Sequence, residues 1–144
     1  MTIRIRKLRP DATIPTSGSA QAAGYDLYAC MDAPITIAPG ETVLIGTGLA
    51  LALPDGYFGA VFARSGLATK QGLRPANCVG VCDSDYRGEY RVPMHNDSAE
   101  PRTISPGDRI AQLIVLPYLS LDFQETDALD VTARGAQGFG STGT

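Results

Sequence analysis

Glycine and proline interrupt this chain at short and even intervals, and that spacing constrains its fold more than any other feature. The sequence contains 16 glycines and 10 prolines among 144 residues, about 18% of the chain against a usual ~12%. The longest stretch without either residue runs from Tyr118 to Arg134. Globular helices average about 11–12 residues, so only this window is long enough for an ordinary helix.

The segments between these interruptions predict β-strands. Even the longest window opens with Leu119, Leu121 and Phe123 alternating with polar residues, which is the period of a strand. Other short apolar or alternating runs are Ile3/Ile5, Ile35/Ile37, Leu49/Leu51/Leu53, Tyr90/Val92/Met94 and Ile110 to Val115. They are bounded by turn residues, which include Pro39-Gly40, Pro54-Asp55-Gly56 and Pro106-Gly107-Asp108.

Many short strands at such intervals predict an all-β domain, either a sandwich, a jelly roll or a closed barrel. Only the segment from Ser65 to Gln71 favours a helix, of one or two turns. A chain of 144 residues and 15.2 kDa has the size of one domain. We predict a single β domain over residues 1–132, followed by a flexible glycine-rich arm over residues 133–144.

Charge and hydropathy exclude several classes of protein. The net charge is −3, which provides no broad basic surface for a nucleic acid or an anionic membrane. No apolar run approaches the ~20 residues of a membrane-spanning helix. The N-terminus alternates between apolar and basic residues and lacks the apolar core of a signal peptide. We therefore expect a cytoplasmic protein with neither nucleic-acid nor membrane partners.

The cysteines and the single histidine show no catalytic or metal-binding pattern. Cys30, Cys78 and Cys82 match neither a disulfide framework nor a zinc motif, and we expect all three to be small buried hydrophobic residues. No serine or cysteine nucleophile motif lies near His95. A surface position at a strand end or a hydrogen-bonded structural role is therefore favoured for His95 over a catalytic one.

Two segments in the first half of the chain combine residues that suit anion binding. Asp26, among aromatic and apolar strand residues, could be a site carboxylate or a buried acceptor for backbone or arginine donors, and the second role is favoured. Arg64, Ser65 and Gly66 combine a guanidinium, a hydroxyl and free backbone N–H groups, which together suit phosphate. The alternative is a Ser65 helix cap beside a solvated arginine.

The segment from Asn77 to Arg91 has the highest density of functional residue types. Asp83 and Asp85 are two residues apart, on one face of a strand or at the mouth of a hairpin. Asp83 could hold and deprotonate a water molecule, and Tyr86 could offer a flat apolar wall to the ring of a ligand. Asp85 and Gly88 are explained by turn chemistry.

Two further segments lie in the second half of the chain. Gln112 is a polar residue among apolar strand neighbours, and its amide needs partners in the protein or on a ligand. In segment 134–143, the backbone N–H groups of several glycines can close on phosphate, while Arg134, Ser141 and Thr142 add donors. The segment is not a Walker loop, because the Gly-Lys-Ser/Thr ending is absent, and an unstructured tail is the alternative.

Taken in order, these five segments resemble the five motifs of the trimeric dUTPases, the deoxyuridine triphosphate nucleotidohydrolases. The matching segments are 23–27, 64–68, 80–89, 107–112 and 134–143. The resemblance implies a distorted jelly roll and a homotrimer whose three active sites lie at subunit interfaces. It also implies hydrolysis of dUTP to dUMP and pyrophosphate, which limits uracil incorporation into DNA and supplies dUMP for thymidylate synthesis.

The resemblance implies a role for each candidate residue. Asp83 would orient a water molecule for in-line attack on the α-phosphorus, and Tyr86 would pack on the deoxyribose and exclude a 2′-hydroxyl. The uracil edge would be recognised by Asn77 and by the hairpin backbone at Gly80, Val81, Cys82 and Asp83. The phosphates would be bound by Arg64, Ser65, Gly66, Gln112 and, from the tail, Arg134, Gly140, Ser141 and Thr142. Phe139 would stack on uracil, Arg91 would face the substrate, and Asp26 would have a supporting role.

The resemblance also implies Mg²⁺ as a cofactor. An acidic protein that binds a triphosphate needs a cation and clustered arginines to offset the phosphate charge. The sequence offers no carboxylate cluster of the kind that cages a metal ion. We therefore expect the ion to be held by the triphosphate of the substrate itself.

Two alternatives remain open. A related fold serves dCTP deaminases, which need a general-base glutamate, whereas the carboxylate at the catalytic position here is Asp83. The second alternative is a non-catalytic nucleotide-sensing module on the same fold. Such a module would have little reason to keep Asp83, Arg64 and Arg134 together.

Overall fold

The computed structural model describes residues 1–138, which form twelve strands and one short helix. Strands β1–β5 are Arg4–Lys7, Thr16–Ser17, Tyr25–Tyr28, Ile35–Ile37 and Thr42–Gly46. Strands β6 and β7 are Leu49–Ala52 and Tyr57–Phe62, and helix α1 is Ser65–Gln71. Strands β8–β12 are Leu73–Pro75, Val79–Cys82, Arg91–Asn96, Arg102–Ile104 and Arg109–Pro117. The predicted all-β class with one short helix is confirmed.

The strands pair antiparallel in two larger sheets and two strand pairs. One sheet has the order β2-β3-β12-β7-β9 and the other β5-β10-β8, while β1 pairs with β6 and β4 with β11. In β10, Val92, Met94 and Asn96 are buried and the residues between them are more exposed, as expected for a strand with one face on the core. Leu27 of β3 and Leu113 of β12 belong to the same buried cluster. Within residues 1–138, no helix has the length and apolar character needed to cross a membrane.

The predicted proline and glycine turns are confirmed. Gly40, Gly56 and Gly107 have φ angles of 75°, 79° and 83°, in the left-handed region that glycine enters at low cost. They connect β4 to β5, β6 to β7 and β11 to β12. The turns are therefore short, and they keep consecutive strands close together in the core.

His95 has the structural role that its sequence context predicts. It lies in β10, where its Nδ1 shares a hydrogen bond of 2.8 Å with the hydroxyl of Thr42. Its Nε2 lies 3.2 Å from Asp97 Oδ1. Both ring nitrogens are therefore engaged by neighbouring side chains.

The predicted strand at Leu119, Leu121 and Phe123 is wrong. Strand β12 ends at Pro117, and residues 118–138 contain neither helix nor strand. The three side chains are 84%, 63% and 93% exposed. Alternation gives a segment one apolar face, but a strand also needs a neighbouring backbone to pair with. No described strand of this chain provides that backbone.

Candidate functional site

A cleft of about 460 Å³ lies where β3, β7 and β12 meet. Gln112 of β12 is paired with Asp26 of β3 on one side and with Phe62 of β7 on the other. Because β7 leads directly into Arg64 and α1, this register brings three of the predicted segments together. We call this site the arginine cleft, and its lining includes Asp26, Arg64, Ser65, Gly66, Arg109 and Gln112.

Asp26 binds two arginines in the arginine cleft. Arg64 Nε donates to Asp26 Oδ1 at 2.9 Å, and Arg109 Nη1 donates to Asp26 Oδ2 at 3.2 Å. The side chain of Asp26 is only 16% exposed, and a carboxylate withdrawn from water needs such paired donors. The predicted role of Asp26 as an acceptor for arginine donors is therefore confirmed.

The alternative of a Ser65 helix cap beside a solvated arginine is wrong. Arg64 itself is the N-cap of α1, with an extended backbone (φ −84°, ψ 125°), and no side chain caps the helix. The hydrogen bond to Asp26 holds the Arg64 guanidinium in the cleft, largely away from solvent. Ser65 and Gly66 are exposed, and a Cβ at Gly66 would meet no atom within 4 Å. Packing therefore leaves this part of the cleft open to a ligand.

The amide of Gln112 finds its partner in the protein. Its Nε2 donates to the carbonyl of Ala63 at 2.9 Å, which ties β12 to the residue before Arg64. On its other side, a Cβ at Gly24 would collide with Gln112 Oε1. A side chain at position 24 would have to displace the Gln112 amide, which its bond to Ala63 holds in place, and this favours glycine there.

A second pocket, of about 300 Å³, lies between the end of β9 and the start of β10, and we call it the hairpin pocket. It brings together the predicted residues Asn77, Gly80, Val81, Cys82, Asp83, Tyr86 and Arg91. Strand β9 is the last strand of its sheet and pairs only with β7 among residues 1–138. Its other edge presents backbone donors and acceptors, which is how a strand edge recognises an added partner.

The turn before β9 corrects the expectation that all three cysteines are buried. Cys30 is buried and Cys82 is partly buried, but Cys78 is exposed. Cys78 has a φ of 62° and is the only non-glycine residue with positive φ within residues 1–138. Its N–H donates to the carbonyl of Pro75 at 3.2 Å. A residue at the tip of so tight a turn points away from the core, and its side chain stays exposed.

Asp83 follows β9 directly and is exposed at the mouth of the hairpin pocket. Its carbonyl accepts the N–H of Tyr86 at 3.2 Å and so closes a turn that contains Asp85. The two carboxylates therefore do not share a strand face. They occupy the mouth of the hairpin, which was the second arrangement predicted, and the turn role of Asp85 is confirmed.

Tyr86 is held in place from two sides. Its hydroxyl donates to the carbonyl of Glu89 at 3.0 Å, and its ring lies 6.0 Å from the ring of Tyr90, tilted by 47°. A Cβ at Gly88 would collide with the Tyr86 ring and hydroxyl. Gly88 is not among the glycines with positive φ, so the contact with Tyr86, rather than turn geometry alone, explains it.

Tyr90 is one of the residues of the hairpin pocket that sequence analysis missed. Its side chain is 2% exposed, and burial raises the pKa of the Tyr90 hydroxyl well above its ordinary value. Burial also raises the pKa of the Cys82 thiol, so both groups stay protonated at neutral pH. The alternation of Tyr90 with Val92 and Met94 indicated only a core position.

The tail residues are described only in part. Arg134 is exposed, and its Nε donates to the carbonyl of Gln137 at 2.9 Å. It lines neither the arginine cleft nor the hairpin pocket. The remaining predicted tail residues lie outside the described residues, and these are Phe139, Gly140, Ser141 and Thr142.

Asp83 of the hairpin pocket and Arg64 of the arginine cleft lie toward opposite ends of the β7–β9 pair. Phe62, at the end of β7, pairs with Val79 at the start of β9. Asp83 follows the end of β9, beside the start of β7, whereas Arg64 follows the end of β7. At about 3.3 Å per residue, roughly 20 Å of strand separates these two positions. No described residue lines both pockets.

Fold and site together define a class of protein, an antiparallel β protein with an arginine-lined cleft and a separate hairpin pocket. Comparison of the sequence with family models narrows this class, because the dUTPase family model matches residues 10–143. The chain belongs to the dUTPase family.

Relatives match over nearly the whole chain. The deoxyuridine 5'-triphosphate nucleotidohydrolase of Desulfitobacterium hafniense is 51% identical over 144 residues, 98% of this chain and 95% of the relative. That of Coxiella burnetii is 46% identical over 139 residues, 96% and 91% of the two chains. A mutant Staphylococcus bacteriophage 80alpha dUTPase, solved with dUpNHpp, is 26% identical and has a TM-score of 0.88 over 99% of both chains. This likeness confirms the predicted jelly-roll fold.

Proposed function

We propose that the chain hydrolyses dUTP to dUMP and pyrophosphate. Relatives at 51% and 46% identity carry the name of this activity. The observation that carries the proposal is the hairpin pocket, where Asp83 and Tyr86 lie beside an open strand edge. In the cell, the reaction would limit uracil incorporation into DNA and supply dUMP, and the cytoplasm is its proposed location.

The hairpin pocket is the proposed site for uracil and deoxyribose. Asn77 and the backbone of Gly80, Val81 and Cys82 would pair with the polar edge of uracil. Cytosine reverses the donor and acceptor at positions 3 and 4 of the ring, and leaving buried polar groups mispaired discriminates strongly. Tyr86, fixed by the Glu89 carbonyl and the Tyr90 ring, would pack on the sugar and leave no room for a 2′-hydroxyl.

Asp83 is the proposed catalytic residue. Its carboxylate is exposed at the pocket mouth, where it would hold a water molecule in line with the α-phosphorus. The water oxygen forms a bond to phosphorus while its proton passes to Asp83. The bond from phosphorus to the bridging oxygen breaks, and pyrophosphate leaves with that electron pair. A positioned base of this kind contributes typically ~10²–10⁴-fold to a rate.

The phosphates would be bound by Arg64, Ser65, Gly66 and Gln112 of the cleft and by Arg134, Gly140, Ser141 and Thr142 of the tail. In this scheme residues 1–132 form the body, residues 133–144 form a closing arm, Phe139 covers uracil and Arg91 faces the substrate. Among residues 1–138, no three His, Cys, Asp or Glu side chains converge as a metal site. Mg²⁺ would therefore come with the triphosphate and offset part of its charge, and no step is assigned to it.

We also propose a homotrimer in which the cleft of one subunit faces the hairpin pocket of another. The separation of Asp83 from Arg64 within one chain supports this arrangement. So does the exposed apolar segment after β12, because exposed apolar surface of this extent is typical of a protein interface. Its exposed side chains are Leu119, Leu121, Phe123, Leu129 and Val131.

The trimer is tested by mass and by complementation. Sedimentation should give three times the chain mass of 15.2 kDa. Arg64→Ala and Asp83→Asn should each be inactive alone, and mixed trimers of the two should recover activity because some sites then take both native residues from different subunits. A monomer that hydrolyses dUTP, or mixtures without recovery, would contradict shared sites.

The reaction is tested by incubating the purified protein with dUTP, dCTP and Mg²⁺. Pyrophosphate and dUMP from dUTP alone would support the proposal. Release of ammonia from dCTP would identify a deaminase instead. Binding of dUTP with no product of either kind would identify a nucleotide-sensing module.

A further inference from the structure

We infer that Arg109 is a positioning residue for the phosphate-binding arginine of the cleft, acting on Arg64 through Asp26. This inference rests on the proposed role of Arg64 in binding the triphosphate. The motif resemblance implies no role for Arg109, although segment 107–112 contains it. Its assignment comes from its contacts alone.

Three hydrogen bonds join Asp26, Arg64 and Arg109 in a closed ring. Asp26 accepts from Arg64 Nε at 2.9 Å with one oxygen and from Arg109 Nη1 at 3.2 Å with the other. Arg64 Nη1 donates to the Arg109 carbonyl at 3.0 Å. Arg109 therefore fixes Arg64 twice, directly through its backbone and indirectly through the carboxylate that it shares with Arg64.

The position of Arg109 is set by an irregularity in β12. Arg109 pairs with Tyr28 and Ala111 pairs with Leu27, so one extra residue, the buried Ile110, lies between them. Such a bulge re-aims the side chains beside it and is frequent next to functional sites. Here it leaves the Arg109 side chain in contact with Asp26, whose own strand partner is Gln112.

Charge explains why one carboxylate is shared by two arginines. With Arg64 alone, Asp26 would cancel the positive charge that the cleft needs for a triphosphate. Arg109 restores a net charge of +1 to the three groups and satisfies the second carboxylate oxygen. Arg64 Nε is then occupied, and its remaining N–H donors are held in a fixed direction. Preorganised donors lower the cost of ordering the site when substrate binds.

Arg109→Gln tests this role, because it removes the charge and keeps the backbone carbonyl that Arg64 uses. We expect the KM for dUTP and the Kd for dUpNHpp to rise about tenfold, with kcat within about twofold. Arg109→Lys retains a charge that reaches Asp26 and should restore most of the affinity. Arg6→Gln, at an exposed residue of β1, controls for the loss of one positive charge elsewhere.

A double variant separates positioning from direct contact. If Arg109 acts through Asp26, Arg109→Gln should weaken dUpNHpp binding no further in an Asp26→Asn background. The same tenfold loss in that background would show direct phosphate contact and overturn the inference. Affinity equal to that of Arg6→Gln in the single variant would also overturn it. A parent protein that neither binds dUpNHpp nor hydrolyses dUTP would instead refute the proposed function.

Discussion

Different interactions shape the hairpin pocket and the arginine cleft. The hairpin pocket is shaped by backbone and close packing: an open strand edge, Gly80 against Val61, and Gly88 beneath the Tyr86 ring. The arginine cleft is held by charged side chains that bind one another. The shape of the hairpin pocket should therefore be lost when atoms are added, and the arrangement of the cleft side chains should be lost when charge is removed.

The largest expected effect is in the hairpin pocket. Asp83→Asn keeps the shape of the side chain but cannot accept the proton of the attacking water. We expect kcat for dUTP to fall by ~10²–10⁴-fold, with the Kd for dUpNHpp within a few-fold of the parent value. Steady-state hydrolysis and calorimetric binding measure the two quantities.

Asp85→Asn is the matched control for this variant. Asp85 lies in the same turn, two residues further along the chain, and should lose little activity. Equal losses at the two positions would mean that the turn as a whole, rather than the Asp83 carboxylate, supports the rate.

The next effect is on the choice of sugar. Tyr86→Ala should raise the ratio of UTP to dUTP hydrolysis by about ten- to a hundredfold, because the wall against the 2′-hydroxyl is gone. Tyr86→Phe keeps that wall and loses only the hydrogen bond to the Glu89 carbonyl. Its ratio should stay near the parent value. Parallel losses on both nucleotides in Tyr86→Ala would assign Tyr86 to folding rather than to sugar selection.

The difference between the pockets also explains what the sequence could predict. Most residues of the hairpin pocket lie between Asn77 and Pro93, so a single short segment of sequence is enough to single out Asp83 and Tyr86 together. The Arg109 contact with Asp26 spans 83 positions, and a strand bulge creates it. No local pattern predicts a contact between two residues so far apart in the chain. The sequence did predict that Asp26 accepts hydrogen bonds from arginine.

The predictions were wrong where they depended on tertiary structure, either a neighbouring strand to pair with or a core to be buried in. Leu119 and Phe123 alternate as in a strand, yet no described strand pairs with them. Cys78 has the residue type of a core position but lies at the tip of a turn. Turns were predicted well, because glycine at positive φ, as at Gly40, is a property of a few adjacent residues.

Two glycine substitutions compare the pockets directly. Gly88→Ala should lower the free energy of unfolding by about 1 kcal/mol, because the new methyl collides with the Tyr86 ring and hydroxyl and must displace this exposed side chain from its bond to Glu89. Gly66→Ala meets no atom within 4 Å and lies in α1, so stability should stay unchanged or rise by about 1 kcal/mol or less. Its methyl fills space in the cleft, so its KM for dUTP should rise. Thermal unfolding at one fixed protein concentration checks the first difference, and a stable Gly88→Ala variant would contradict the close packing inferred for Tyr86.

The smallest expected effect concerns Tyr90, whose buried hydroxyl has no well-aligned hydrogen-bond partner among the described residues and lies beside only the Cys82 thiol, a weak partner. An unpaired buried hydroxyl costs free energy, so Tyr90→Phe should leave stability unchanged or raise it by about 1 kcal/mol or less. The ring that supports Tyr86 remains, and the ratio of UTP to dUTP hydrolysis should not change. Tyr90→Leu removes that ring and should lower stability and loosen sugar selection together. If Tyr90→Phe behaved like Tyr90→Leu, the Tyr90 hydroxyl rather than its ring would hold Tyr86 in place. The hairpin pocket would then depend on a polar contact, as the arginine cleft does.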